Sequence, residues 1–106
     1  MPDIKILIAE FIAITAFCKE SGKGYYVKKN KYFAVDKSII VELLERNNYE
    51  ASFAKLAIWK RLRWIDTDAG HITKSVYIKD AGKSVRMIVI DLDVHAQLAE
   101  LEEKVA

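Results

Sequence analysis

The chain holds a single cysteine, Cys18, in 106 residues. An intrachain disulfide is therefore excluded, and a reducing cytoplasm fits. There is no low-complexity tract and no internal repeat. There is also no apolar run long enough for the membrane. Residues 4–18 are unusually apolar, but a span needs about 20 apolar residues, and Lys5 and Glu10 interrupt this one. A signal peptide would open on basic residues and end at a small-residue cleavage site; Asp3 stands at the start instead. The segment reads as a buried helix, with no membrane as partner.

Chemical signals are equally sparse. No glycine-rich phosphate loop accompanies Ile88-Val89-Ile90-Asp91, so Asp91 reads as a strand-end or helix-cap residue rather than a magnesium ligand. Asp66, Asp68 and His71 have no second histidine or cysteine to complete a metal site. Cys18, at the end of an apolar helix, reads as packing: a nucleophile would want a basic group arranged around it, and His95 is far away in sequence. No catalytic constellation can be assembled. The expectation is a protein that is not an enzyme and that carries no cofactor and no metal.

What is present is the balance of an ordinary globular domain, with 52% hydrophobic and 30% charged residues. The length suits one domain with one core. Net charge is +2, but it is unevenly spread. Residues 20–90 hold fourteen Lys/Arg against eight Asp/Glu, whereas the two ends hold three against seven. A basic middle thus lies between acidic ends.

Hydrophobic spacing and stop signals give the order α, β, α, α, β, β, α. Asp3 caps a first helix over 4–19, which Ser21-Gly22-Lys23-Gly24 ends. Residues 25–35 are aromatic and β-branched and read as one strand with a bend, or as a small hairpin turning at 28–31. Asp36 caps a second helix to Asn47, burying Ile40, Leu43 and Leu44. A third helix runs from about Glu50 to Leu62, its end marked by Trp64-Ile65, with Phe53, Leu56, Trp59 and Leu62 facing the core. After a turn at 66–70, a hairpin follows with strands 71–78 and 85–92 joined by 79–84. Both faces near Met87–Ile90 are apolar, so the base of that strand is expected to be buried on both sides. Asp93 caps a last helix with the stripe Val94, Leu98, Leu101, Val105.

That order, with Trp64-Ile65 closing the third helix and a glycine-bearing turn before the hairpin, resembles the winged helix-turn-helix superfamily, an α+β fold. More narrowly, the run 56–68, followed by Thr73-Lys74-Ser75-Val76 and Arg86-Met87-Ile88-Val89-Ile90-Asp91, looks like the TcpK-like accessory proteins of conjugative-plasmid relaxosomes. The resemblance implies origin-of-transfer binding on double-stranded DNA beside a relaxase. It points to the third helix (Lys55, Lys60, Arg61, Arg63) and to the wing (Lys74, Lys79, Lys83, Arg86) as the DNA-contacting elements.

The residues themselves favour the hairpin over the helix. At about 100° per residue, Lys55, Lys60, Arg61 and Arg63 lie near 200°, 340°, 80° and 280° from Phe53, so no single polar face is presented. A conventional recognition helix has such a face. The hairpin places Lys79 and Lys83 at its tip, Lys74 and Arg86 along its strands, and Ser75 and Tyr77 as neutral donors. Lys28, Lys29 and Lys31 add charge. Neutralising about four to six phosphates gives a salt slope of roughly −4 to −5. A module of that strength reaches specific sites as a homodimer, through the last helix or through Ile58 with Ala54. Three other readings stay open: a transcription or replication regulator, a winged helix that binds protein, and single-strand or RNA binding by Tyr25, Tyr26 and Tyr32 among lysines.

Overall fold

The structure, a computed structural model, describes residues 3–46 and 51–105. Four helices pack on one face of a small antiparallel sheet, an α+β domain. The elements are α1 (Ile4–Glu20), β1 (Gly24–Val27), β2 (Tyr32–Val35), α2 (Lys37–Glu45), α3 (Ser52–Arg61), β3 (Ile65–Asp66), β4 (Lys74–Ile78), β5 (Lys83–Asp91) and α4 (Leu92–Val105). The expected helix stop at Asn47-Asn48 and the third-helix start at Glu50 fall outside the described residues. No helix among those described is long and apolar enough to cross a membrane.

Strand β5 is the spine of the sheet. Its second half pairs with β2 on one side, from Tyr32↔Asp91 to Val35↔Ile88, and with β3 at Ile65↔Ile90 and Asp66↔Val89. Its first half pairs with β4, from Lys74↔Met87 to Ile78↔Lys83. Strands β3 and β4 are thus two stretches of one hairpin arm, with residues 67–73 looped out between them. That loop explains why the arm begins at Lys74 and not at His71. Asp68 closes it: its amide donates to the Thr73 carbonyl at 3.1 Å, and its own carbonyl accepts from the His71 amide at 3.0 Å.

Alternation along β5 sends its residues into two cores. Ile88 and Ile90 join Phe33, Val35 and Ile65 against Phe11, Ile40, Leu44, Leu56, Trp59 and Trp64 on the helices. Phe11 sits edge-on to Trp59, with ring centres 4.9 Å apart. Met87 and Val89 join Ala34 and Ile78 on the opposite face, with Val27, Tyr32, Val76 and Val85 packed around them. The base of β5 is buried on both sides, as its composition predicts.

Three expectations about packing are corrected. Phe53 is 73% exposed and Leu62 43% exposed, while Leu56 and Trp59 are buried. A three-residue repeat retreats about 60° per step around a 3.6-residue helix, so only the middle of that series can face one core. In α1, one face buries Leu7, Phe11, Ile14 and Cys18, but Ile4, Ile6 and Phe17 lie on the surface. In α4, Val94 and Leu98 pack on the body, whereas Leu101 is 49% exposed. Asp93 is not the cap of α4: Asp91 is, accepting from the amides of Asp93 and Val94.

Candidate nucleic-acid interface

The helix ends decide where several cations stand. Both α1 and α3 close with the same pair of reversed hydrogen bonds. In α1 these are Gly22 N–H to Lys19 and Lys23 N–H to Cys18; in α3 they are Arg63 N–H to Lys60 and Trp64 N–H to Trp59. The motif needs a left-handed residue. In α1 it is Gly22, at φ 65°, but in α3 it is Arg63, at φ 62°. The β1–β2 turn repeats the pattern, with Lys28, Lys29 and Asn30 at φ 51°, 57° and 64°. Of the described non-glycine left-handed residues, Asn30 alone is of a type that favours this conformation; the others are cations.

Two carboxylates then gather cations along the outer edge of the sheet. Asp66 on β3 lies 3.1 Å from Lys74 and 3.8 Å from Lys28. Lys28 also sits over the Tyr32 ring, 5.3 Å from its centre. The hydrogen bond to Asp66 holds the Lys74 ammonium above the usual lysine range. Asp68 accepts from Arg86 Nη2 at 2.9 Å and from the Ser75 amide at 3.1 Å. Chiefly through the Ser75 amide, its carboxyl is held below the ordinary range. Arg86 is pinned further by Thr73, donating from Nε to Oγ1 at 3.0 Å and from Nη2 to the carbonyl at 3.2 Å. Next to Asp66, Lys60 and Arg63 line a cleft with Tyr32, Thr67 and Asp91.

The structure thus brings together Lys28, Lys60, Arg63, Lys74 and Arg86 along one edge. Lys79 and Lys83 are exposed at the hairpin tip, with Ser75 and Tyr77 exposed along the arm. The hairpin is not a free-standing finger, because its Val76–Ile78–Met87 side belongs to the second core. Its other face and its tip face outward. Lys29 and Lys31 are exposed on the β1–β2 turn, and Arg61 is exposed on α3 beside Ala57.

Lys55 is the correction among the expected contact residues. Its side chain is fully buried, with Nζ 3.0 Å from Glu10 Oε2 and 2.8 Å from the Leu44 carbonyl. It lies within the buried arc of α3, with Leu56 and Trp59, and cannot meet a ligand. The surfaces suggested for a dimer are also partly used internally: Ile58 and Leu98 pack on the main core.

Two residues that the sequence does not assign to this interface stand in the same region, one of them, His71, weighed above only as a metal ligand. Lys37, at the start of α2, and His71, in the loop before β4, line a second cleft with Lys60 and Arg86. Nothing in local spacing marks them, since α2, α3 and the loop meet only in the fold. Tyr25 and Tyr26 are exposed, and Tyr26 packs edge-on against Phe33. Among the described residues, no group of three His, Cys, Asp or Glu is placed to hold a metal. No protein-family model matches the sequence, and no curated protein matches it.

Proposed function

We propose that this chain is a winged helix-turn-helix protein that binds double-stranded DNA, with no chemistry of its own. In this reading it acts as a TcpK-like accessory factor at a plasmid origin of transfer, beside a relaxase and as a homodimer. The fold reading is supported by the strand order β2–β5–β3/β4 and by two helices, α2 and α3, directly preceding the hairpin.

The observation that carries the DNA reading is the convergence of Lys28, Lys60, Arg63, Lys74 and Arg86 about Asp66 and Asp68, continued by Lys79 and Lys83. The cations come from the β1–β2 turn, the end of α3 and the hairpin, which is the spread needed to follow a phosphate backbone. The left-handed geometry of Lys28, Lys29 and Arg63 adds weight. Strain of that kind is kept where function requires the side chain.

The test is a titration of Lys79→Ala/Lys83→Ala against duplex DNA at several salt concentrations, with single strands as competitor. The parent slope is expected near −4 to −5, and the variant slope about two lower in magnitude. An unchanged slope would remove the hairpin tip, and better competition by single strands would favour the aromatic segment at 23–33.

A second reading has one observation behind it. Phe53 is the most exposed large apolar residue described, on the same open face of α3 as Ala57. That face suits a protein partner better than a base edge, and Phe53→Ser would abolish such an interaction while leaving DNA binding intact.

A further inference from the structure

We infer that the cleft between α2, α3 and the loop before β4 is a seat for one backbone phosphate of the duplex. This inference rests on the DNA-binding reading above and names a site that the hairpin and third helix alone do not supply. The cleft, about 480 Å³, is lined by Lys37, Lys60, Gly70, His71, Ile72, Thr73 and Arg86. Its lining contains three permanent cations, contributed by α2, α3 and β5, and no carboxylate. Two other clefts differ: Asp66 and Asp91 line the one beside Arg63, and Asp36 lines the groove between the turn after α1 and the hairpin.

Charge alone would be a weak argument, but the guanidinium is also fixed in place. Arg86 is held by Thr73 through Nε and by Thr73 and Asp68 through Nη2, so that Nη1 makes none of the hydrogen bonds found among the described residues. A planar donor held in one orientation loses little freedom when an oxyanion arrives. Lys37 and Lys60 make no ion pair among the described residues, and as flexible point charges they can close on the same oxyanion. Asp68 lies outside the lining and offsets one of the three charges. Asp36, next to Lys37, is engaged as the cap of α2, accepting from the amide and hydroxyl of Ser38. The cleft stays positive. Gly70, at φ 77°, turns the chain so that His71 reaches the rim and adds a ring N–H donor.

The cleft also has a consequence for orientation. A phosphate held by α2, α3 and the hairpin together fixes the protein rotationally on the duplex, as phosphate contacts do.

The experiment compares the parent with Lys37→Gln/Lys60→Gln in duplex titrations across salt concentrations, with thermal melting to check folding. Both side chains reach solvent, so the melting temperature should be retained. The expected result is a loss of about tenfold in affinity and a slope lower in magnitude by about one. A folded variant with parental affinity and slope would overturn the phosphate seat while the hairpin reading stood. A parent protein without salt-dependent duplex binding would overturn both. A matched pair, Lys5→Gln/Lys19→Gln on α1, should leave affinity and slope unchanged; an equal loss there would reduce the cleft effect to net charge and overturn the site.

Discussion

Lys55 and Glu10 form an ion pair sealed from solvent, 3.0 Å between Nζ and Oε2, with the Leu44 carbonyl as a further acceptor at 2.8 Å. The contact ties α3 to α1 and to the end of α2, and so fixes the helices beneath the candidate interface. A buried pair of this kind is little better than an apolar replacement, but removing one of its two charges alone is strongly destabilising. Lys55→Met is therefore expected to cost about 3–5 kcal/mol, read by denaturant melts. Glu10→Leu/Lys55→Met should regain most of that loss. If Lys55→Met were neutral, the pair would not organise the helices.

Arg63 occupies the left-handed position that Gly22 holds in the matching cap of α1. A side chain there costs about 1–2 kcal/mol relative to glycine. Arg63→Gly should raise stability by about 1 kcal/mol and weaken duplex binding at low salt. Opposite signs in a melt and a titration would identify a strained cation retained for its charge. A variant that binds as well as the parent would leave the strain without that explanation.

Asp68 competes for Arg86 with any incoming anion. Asp68→Asn keeps an acceptor for the Ser75 amide but removes the charge, so duplex affinity and the magnitude of the salt slope should both rise. A fall in affinity would mean that Asp68 orders the loop more than it masks the arginine. The same substitution changes acid behaviour. The Asp68 carboxyl is held below its ordinary range in the folded state. Its contribution is thus present above the unfolded carboxyl range and is lost as pH falls through the lowered folded value. The variant should show a flatter decline of melting temperature at acid pH.

His95 faces Phe11, with ring centres 6.0 Å apart, and its Nε2 is buried without a partner. Burial, assisted by Lys19, lowers its basicity, against a hydrogen bond to the Ile12 backbone. Protonation would place an unsatisfied N–H in the α1–α4 contact. The unfolded chain binds the proton more readily, so stability is full above about pH 6.5 and declines as pH drops below it. His95→Phe should remove that decline in a series of thermal melts. An unchanged pH profile would assign it to other groups.

Much of the fold was legible because its signals are local. Asp3 and Asp36 cap helices where their positions predict, and the two-sided apolar stretch at Met87–Ile90 marks a strand buried on both faces. The β1–β2 segment was readable as strand, with its turn at the lysines. What stayed hidden depends on distant partners. Lys55 looks like any surface lysine until Glu10, far along the chain, is brought beneath it. Lys37 and His71 carry no spacing signal, because the cleft exists only where three elements meet. Residues 71–73 read as strand, because the bonds that fold the loop out join the Asp68 main chain to Thr73 and His71 and its carboxylate to the Ser75 amide, and alternation does not register them.

Every strand except β1 is paired through β5, the last to leave the ribosome. A nascent chain that stops before Ile88 has a short β1–β2 ribbon and helices with no common platform. Assembly must then wait for a closure between distant segments, the slow kind of event in folding. Until that closure the aromatic and aliphatic faces of Phe33, Val35 and Ile40 stand uncovered, so synthesis through the final strand sets the interval during which this protein is vulnerable to aggregation.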